Sequence, residues 1–249
     1  MTNIRLEQME KFIEEKNIVT IKQLQELFPH VSLMTIHRDL DALEARGTVV
    51  KFRGGARSVL YAGDLEFKVR MQENNFGKNV IARKALKLIT PHSSVFFDAS
   101  TTNLALAQNL PDINLNVFTT GPSIALELCR LHNPVVTLCC GTINRKNLSL
   151  SGKNTLEMLE KINIDMAFIG VSGCSVDAGF TCGTESDMLV KNLVIKKART
   201  SVLMCDMEKF RCLMPYTFAG LSDADYLITD GTPPEAFLQA AEKANLTIL

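Results

Sequence analysis

Hydroxyl and acidic residues follow an apolar, β-prone run of residues 94–97 in the second half of the chain. The run ends in Asp98 and leads through Ser100, Thr101 and Thr102 into a helical pattern. Three hydroxyls and the free N–H groups of a helix start make a suitable site for an anion. The sequence therefore predicts an anion site here, although Ser and Thr also cap helices where no ligand binds.

Small, hydroxylated or charged residues also follow the later β-prone runs. They are Thr119, Thr120, Gly121, Gly141, Gly170, Gly173, Glu185 and Lys209. Ligands of open parallel sheets bind outside the carboxyl ends of the strands, so we expect these residues to share one edge. Lys209 is the candidate phosphate partner. For any single loop the alternative is turn geometry, which by itself requires Gly, Ser and Thr.

The seven cysteines are scattered among apolar runs and include no C-x-x-C pair. No histidine stands at ligand spacing from a cysteine pair. This pattern is typical of reduced core thiols, and we expect neither a metal nor a cofactor.

A second group of candidates lies in a short helical pattern that starts after Val31. Ser32 is a suitable N-cap, and apolar residues follow at helical spacing as Leu33, Ile36, Leu40 and Leu43. The opposite side presents Met34, Thr35 and Arg38, with His37 near its edge. Such a face suits the DNA major groove. An ordinary amphipathic helix with a solvated face is the alternative.

The flanking residues favour the DNA-binding interpretation. Two short helical patterns precede this helix, the second with a capping box Thr20-x-x-Gln23, and Gly47 is a suitable C′ residue. Two β-prone runs then surround Gly54-Gly55 and predict a hairpin. We expect Lys51, Arg53 and Arg57 to lie at its tip, where they would neutralise DNA phosphates. Residues 1–61 are therefore predicted to form a winged helix-turn-helix.

The rest of the chain is predicted to form an α/β domain. Polar residues 62–77 are predicted to be a linker, and residues 78–249 alternate apolar strands with helical patterns. This alternation is typical of a mostly parallel sheet covered on both faces. Lys plus Arg and Asp plus Glu each total 27, so the net charge is zero and does not indicate any class of partner. No apolar run is long enough for a membrane span or a secretory signal, and we expect a cytoplasmic protein that makes no membrane contact.

These motifs resemble the DeoR-type bacterial transcription regulators. The N-terminal resemblance is carried by Val31-Ser32-x-x-Thr35-Ile36-x-Arg38-Asp39-Leu40-x-x-Leu43-x-x-x-Gly47 and Gly54-Gly55-Ala56. The second domain matches at Asp98-x-x-Thr101-Thr102, Thr119-x-Gly121, Gly141, Ser151-Gly152, Asp165-x-x-Phe168-Ile169-Gly170-x-x-Gly173, Gly179, Glu185 and Asp206-x-x-Lys209-Phe210. His37 stands where the family usually has arginine, and Ser100 where it usually has glycine.

The resemblance implies a regulator of carbohydrate-metabolism genes, with a repressor as the expected form. In the family the second domain is similar to ribose-5-phosphate isomerase and senses a phosphorylated sugar. Double-stranded operator DNA is then the partner, and a homo-oligomer, dimer or tetramer, is expected because one short helix covers few bases.

Two further interpretations stay open. The first is a sugar-phosphate isomerase, which needs a carboxylate base and a cation. Asp98, Asp177 and Glu185 are the available carboxylates, and Lys191 and Lys209 the available cations. The second is an architectural DNA-binding protein whose second domain only oligomerises.

Overall fold

The computed structural model describes residues 2–52, 54–58 and 67–249. The chain divides into two compact units, residues 1–62 and residues 63–249. Within the described residues, no helix is both long enough and apolar enough to cross a bilayer.

The first unit packs three helices with a three-stranded antiparallel sheet. Its elements are α1 (Thr2–Lys16), β1 (Ile18–Thr20), α2 (Ile21–Leu27), α3 (Leu33–Ala45), β2 (Val49–Phe52) and β3 (Gly55–Ser58). The strand order β1-β3-β2 confirms the hairpin and adds β1, which is too short to give a periodic signal. The unit is a winged helix-turn-helix, as predicted.

The sequence signals at the helix ends are confirmed. Thr20 and Gln23 form the reciprocal capping box of α2. At the end of α3 the N–H of Gly47 donates to Glu44 and that of Thr48 to Leu43, which is a Schellman motif. Gly47 has φ +75°, a backbone conformation that favours glycine.

The hairpin glycines meet two different needs. Gly54 has φ +99° and sits in the turn. A Cβ on Gly55 would lie 2.1 Å from the carbonyl oxygen of Val19, so glycine allows β3 to approach β1.

The second unit contains a seven-stranded sheet with helices on both faces, and two smaller sheets of three and two strands. Its strands are β4 (Ser94–Phe97), β5 (Asn116–Thr119), β6 (Val135–Leu138), β7 (Thr142–Asn144), β8 (Ser149–Ser151), β9 (Ile164–Gly170), β10 (Gly173–Ser175), β11 (Gly179–Cys182), β12 (Ala198–Met204), β13 (Tyr216–Ala219), β14 (Tyr226–Ile228) and β15 (Thr247–Ile248). Its α-helices are α4 (Phe67–Gln72), α5 (Asn75–Leu86), α6 (Thr101–Gln108), α7 (Pro122–Leu128), α8 (Lys153–Leu159), α9 (Glu185–Lys197) and α10 (Glu235–Lys243). Two 3₁₀ helices span Met207–Arg211 and Leu221–Asp223.

The large sheet has the order β15-β14-β12-β9-β4-β5-β6, and every neighbouring pair is parallel. Alternate residues of a strand enter opposite cores: Phe96 belongs to one cluster, and Val95 and Phe97 to the other. Both faces are therefore buried, as the continuous apolar strands predict. The α/β fold class is confirmed.

Two smaller sheets were not predicted. Strands β10, β11 and β13 form one antiparallel sheet, and β7 and β8 form a hairpin. These strands are three or four residues long, and Gly, Ser and Thr give them the composition of loops. Gly173 and the segment around Gly179 therefore lie in strands, whereas the sequence interpretation placed them in loops.

The segment predicted as a linker, residues 62–77, includes helix α4 and the start of α5. Phe67 is buried, and its N–H donates to the carbonyl of Lys146 at 2.7 Å. Asn74 caps α5 by accepting from the N–H of Gly77 at 3.1 Å. Residues 67–77 thus pack within the second unit, while residues 59–66 lie outside the described residues.

Candidate functional site

Helix α3 has the two faces that the sequence predicts. Ile36, Leu40 and Leu43 are fully buried, whereas Met34 is 71% exposed. Ser32, His37 and Arg38 are also exposed, and Thr35 is half-buried. Leu33 was expected on the buried side but is 47% exposed, because as the first helical residue it precedes the turns that pack on the core.

The start of α3 is held by hydroxyl groups. The Oγ of Ser32 accepts from the N–H of Thr35 at 3.2 Å and lies 2.8 Å from the Thr35 Oγ1. This cap satisfies one of the orphan N–H groups of the helix and fixes both side chains. Contact of these residues with DNA stays a prediction.

Asp39 lies on the inner side of α3 and ties it to α1. The guanidinium of Arg5 donates to both carboxylate oxygens, at 2.5 Å and 3.0 Å. Such a two-pronged pair fixes orientation as well as adding energy. Asp39 is therefore occupied by Arg5, and the neighbouring Arg38 pairs with no acidic group in the described part of the chain.

The three basic residues assigned to the hairpin tip differ in their surroundings. Lys51 forms an ion pair with Asp41 of α3 and keeps a partly exposed side chain. Arg57 is only 8% exposed and stands opposite Val50 and Ile18 within the sheet, so its placement at the tip is wrong. Arg57 lies in β3, which is the middle strand because β1 pairs with its outer edge, and β1 was not predicted. Arg53 lies outside the described residues.

In the second unit, the carboxyl ends of β4 and β9 meet around Asp98. The Oδ2 of Asp98 accepts from the N–H of Gly170 at 3.0 Å and from the Nζ of Lys191 at 2.5 Å. Lys191 also donates to the carbonyl of Gly170 at 2.8 Å. Asp98 and Lys191 are both buried, so this part of the edge is a closed ion pair.

Helix α6 begins beside this pair, with Ser100 as its N-cap. The Oγ of Ser100 accepts from the backbone N–H of Asn103 and from its side-chain amide, both at 3.1 Å. A Cβ on Gly170 would lie 2.5 Å from the Cβ of Ser100, so glycine at 170 makes room for the serine. Ser100 therefore acts as a cap and a packing residue in this structure.

The hydroxyls and backbone N–H groups of Thr101 and Thr102 are unpaired in the described part of the structure. Within the described residues, their hydroxyls form no hydrogen bond and their backbone N–H groups have no acceptor. Each residue is 7% exposed. Unpaired donors at a helix start attract an anion through hydrogen bonding and through the helix dipole.

The loop after β5 stands next to α6. The hydroxyl of Thr119 donates to the carbonyl of Phe97 at 2.7 Å and accepts from the N–H of Gly121 at 3.0 Å. A Cβ on Gly121 would lie 3.2 Å from the Cα of Ala99. The Thr120 hydroxyl has no partner within the described residues. Thr119 and Gly121 thus shape the edge, and Thr120 keeps a free hydroxyl.

Three predicted residues have packing or surface positions. Gly141 has φ +152°, and a Cβ there would lie 2.1 Å from the Thr155 Oγ1. A Cβ on Gly173 would lie 2.4 Å from the carbonyl oxygen of Cys212. Glu185 is exposed in the first turn of α9. Close packing accounts for both glycines without a ligand.

Lys209 belongs to a second cluster at the ends of β12 and β14. Its Nζ lies 3.7 Å from Asp206 and 3.9 Å from Glu73. The nearby Lys78 is buried, and its Nζ donates to the carbonyls of Glu73 and Arg70. Burial, together with repulsion from Lys209, lowers the pKa of Lys78 to about 8. The predicted residues are thus not all brought together: one group surrounds Asp98, Lys209 belongs to a second cluster, and Gly141, Gly173 and Glu185 have the packing or surface positions given above.

Sequence reasoning missed three buried polar residues at this edge. Lys191 was considered only as an isomerase cation, and Lys78 and Asn103 were not considered. Each stands within a helical stretch beside buried apolar residues, namely Ile81 for Lys78, Val190 and Val194 for Lys191, and Leu104 for Asn103. A lysine in the apolar stripe of a helix was the available signal, since lysine is almost never buried unless paired.

Two family profiles match the chain. Residues 5–60 match the DeoR-like helix-turn-helix domain. Residues 73–231 match the DeoR C terminal sensor domain. The resemblance found in the sequence motifs is confirmed.

Individual relatives match over nearly their whole length. The HTH-type transcriptional regulator GlpR of Haloferax volcanii is 32% identical, over 92% of this chain and 91% of that protein. The HTH-type transcriptional repressor GlcR of Bacillus subtilis is 30% identical, over 96% of this chain and 92% of that protein. The uncharacterized HTH-type transcriptional regulator YgbI of Escherichia coli is 34% identical, over 96% and 94%.

Among solved structures, a ribose 5-phosphate isomerase from Methanocaldococcus jannaschii aligns with 53% of this chain and 52% of its own. The TM-score is 0.38 and the sequence identity 14%. The curated relatives are named as transcriptional regulators rather than enzymes, which supports the regulator over the isomerase.

Proposed function

The chain belongs to the DeoR family of transcriptional regulators, and on that premise we propose that a phosphorylated sugar bound at the start of α6 controls its hold on operator DNA. The first unit is the DNA-binding part, and the second is the sensor. The sugar phosphate, its site and the residues that contact DNA are the proposed parts.

The observation that carries the ligand site is the set of unused donors around α6. The N–H groups and hydroxyls of Thr101 and Thr102, with the hydroxyl of Thr120, have no partner within the described residues. Several unpaired donors gathered at the start of one helix favour a bound anion. A phosphate supplies acceptors for all of them.

The sugar part of the ligand is proposed to contact the carboxylate of Asp98, which lies next to the phosphate site. The Oδ2 of Asp98 is occupied, whereas its Oδ1 accepts no hydrogen bond from the described residues. This oxygen is free to accept a sugar hydroxyl. Asp98, Thr101, Thr102 and Thr120 are thus the proposed contacts, and Ser100, Thr119, Gly121 and Gly170 shape the site around them.

The Lys209 cluster would serve as a second cationic contact. Lys209 faces two carboxylates in the structure, so its charge is already partly compensated. We assign it a weaker contribution than the start of α6. Gly141, Gly173 and Glu185 stay candidates that have no geometric support from their contacts.

On the DNA side, α3 is the proposed major-groove element. Ser32, Met34, Thr35, His37 and Arg38 form its outward surface, and Lys51 is the proposed phosphate contact from the wing. A relative that is named as a repressor supports repression as the mode of action. Because one short helix reads few base pairs, a homo-oligomer acting on operator DNA in the cytoplasm completes the proposal.

Ligand binding to the second unit is tested by calorimetry with a panel of pentose, hexose and triose phosphates. We expect one or more of them to bind and to raise the melting temperature by mass action. Matched unphosphorylated sugars are the control and should not bind. Failure of every phosphorylated sugar would contradict the proposed site. Turnover of a sugar phosphate would instead support the isomerase.

A further inference from the structure

A buried ion pair stands immediately before the proposed phosphate site. Asp98 is 4% exposed and Lys191 6% exposed, and their charged atoms lie 2.5 Å apart. Lys191 comes from α9, whereas Asp98 ends β4. The pair therefore links two elements that are distant in the sequence. Asp98 itself lies three residues before Thr101, whose N–H group is free.

Three contacts hold the ammonium group of Lys191, of which Asp98 provides the first. Its Nζ donates to the carbonyl of Gly170 at 2.8 Å and lies 5.4 Å from the centre of the Phe218 ring. Burial lowers the pKa of Lys191, but attraction to Asp98, Cys182 and Asp187, together with the hydrogen bond to Asp98, outweighs burial and raises the pKa. The ammonium group is therefore charged at neutral pH.

The electrostatic consequence concerns the neighbouring helix start. An uncompensated carboxylate in a buried place would repel a phosphate at Thr101 and Thr102, because a charge in a low-dielectric environment acts strongly over several ångströms. With Lys191 in place, the pair as a whole is neutral. The attraction of the α6 N–H groups and helix dipole for an anion then remains.

We propose that Lys191 is a positioning residue of the sensor, which cancels the charge of Asp98 and so keeps the start of α6 able to bind phosphate. The proposal rests on the proposed function, because it assigns the phosphate to α6. It goes further by giving a role to a residue of α9 that does not itself touch the ligand.

Inorganic phosphate is the probe, and its affinity for the full-length chain is measured by calorimetry. Asp98→Asn keeps the shape of the side chain and removes its charge, so phosphate affinity should rise by about tenfold. Lys191→Met leaves the carboxylate unpaired, so affinity should fall by about tenfold or more. The double variant is neutral again and should bind within about threefold of wild type.

This order of affinities separates positioning from simple structural support. Lys191→Met leaves a buried carboxylate unpaired and Asp98→Asn leaves a buried ammonium unpaired, so both should lose stability, whereas the double variant leaves neither charge. Lys196→Met removes an exposed lysine of the same helix and is the matched control, which should leave affinity unchanged. Folding is checked for each variant by thermal melting.

Unchanged phosphate affinity in Asp98→Asn, or a double variant as weak as Lys191→Met, would overturn the proposal while leaving the phosphate site in place. If neither wild type nor Asp98→Asn binds phosphate, the site at α6 is itself wrong, and the role of Lys191 is overturned with it. Phosphate binding that Thr101→Glu does not change would likewise place the anion elsewhere.

Discussion

Arg38 is the residue on which sequence-specific recognition depends in this account. Its side chain is exposed on α3 and has no acidic partner among the described residues, while Asp39 beside it is taken by Arg5. The free guanidinium can therefore donate to the edge of a guanine, as arginine commonly does in the major groove.

Replacing Arg38 by Ala should weaken binding to the operator by roughly 1–3 kcal/mol and relax the preference at one base pair. Lys16→Ala removes an exposed cation at the end of α1 and serves as the control. Fluorescence anisotropy with the upstream DNA and single-base variants measures both effects. Unchanged affinity and preference in Arg38→Ala would show that this residue does not read a base.

Replacing Thr101 by Glu places a negative charge where the phosphate is proposed to lie. The response of DNA binding to sugar phosphate should be lost because the two anions repel each other. Gln108→Glu adds the same charge at the far end of α6, on an exposed residue, and should keep the response. A response that survives in Thr101→Glu would move the ligand site.

Lys78 gives the stability a pH dependence with a defined sign. The pKa of Lys78 falls from 10.5 to about 8 in the folded chain, first because of burial. Below pH 8 both states hold the proton, and the cost of a buried charge is fully present. Between pH 8 and 10.5 the folded state releases the proton and the unfolded state keeps it, so the free energy of unfolding rises with pH.

From pH 7 to pH 9.5, wild type should therefore gain about 2 kcal/mol of unfolding free energy relative to Lys78→Met. Urea denaturation of both proteins at the two pH values measures the difference. Lys87→Met, which removes an exposed lysine at the end of the same helix, should track wild type. A difference between wild type and Lys78→Met that stays constant with pH would contradict the assignment.

At the scale of elements, the orientation of α3 depends on α1 as well as on the shared core. Arg5 reaches across from α1 and holds Asp39 with both prongs of its guanidinium, and Asp39 is 3% exposed. Removing one member of such a pair leaves a buried charge without compensation.

Replacing Arg5 by Met should lower the stability of the first unit by about 1–3 kcal/mol, less than for a fully buried pair because Arg5 is partly exposed. Operator affinity should fall as well, since α3 loses one of its supports. Lys11→Met on an exposed site of α1 is the matched control. Thermal melting that is identical for Arg5→Met and wild type would contradict a supporting role for the pair.

The elements differ in how far the sequence could predict them. Helix α3, the capping box at Thr20 and the buried strands β4 and β9 follow from periodicity and local hydrogen bonding, which act over a few residues. Strands β1 and β13 could not be predicted, because their three or four residues pair with strands distant in the sequence. Strands β10 and β11 pair locally, but their Gly, Ser and Thr residues have the composition of a loop.

The candidate site shows the same division. Asp98, Thr101 and Thr102 are visible because a strand, a turn and a helix start follow each other directly in the sequence. The pairing of Asp98 with Lys191 joins residues 93 positions apart and requires the tertiary fold. The burial of Arg57 was missed for a similar reason, since it depends on β1 pairing with the hairpin.

For the molecule as a whole, the central claim is that a ligand of the second unit changes the affinity of the first unit for DNA. A ligand can do this only through different affinities for the two states of the protein. The described geometry shows an exposed face on α3 in one unit and unpaired donors at the start of α6 in the other, and the proposed roles in DNA and ligand binding rest on these two features.

The most direct test measures binding of the purified protein to its own upstream DNA and to random duplex, with and without a panel of phosphorylated sugars. We expect preference for the upstream DNA of roughly 10³-fold or more. We also expect a change in that affinity of about 5- to 150-fold with at least one phosphorylated sugar. Equal binding to both duplexes, or an affinity that no phosphorylated sugar changes, would contradict the account.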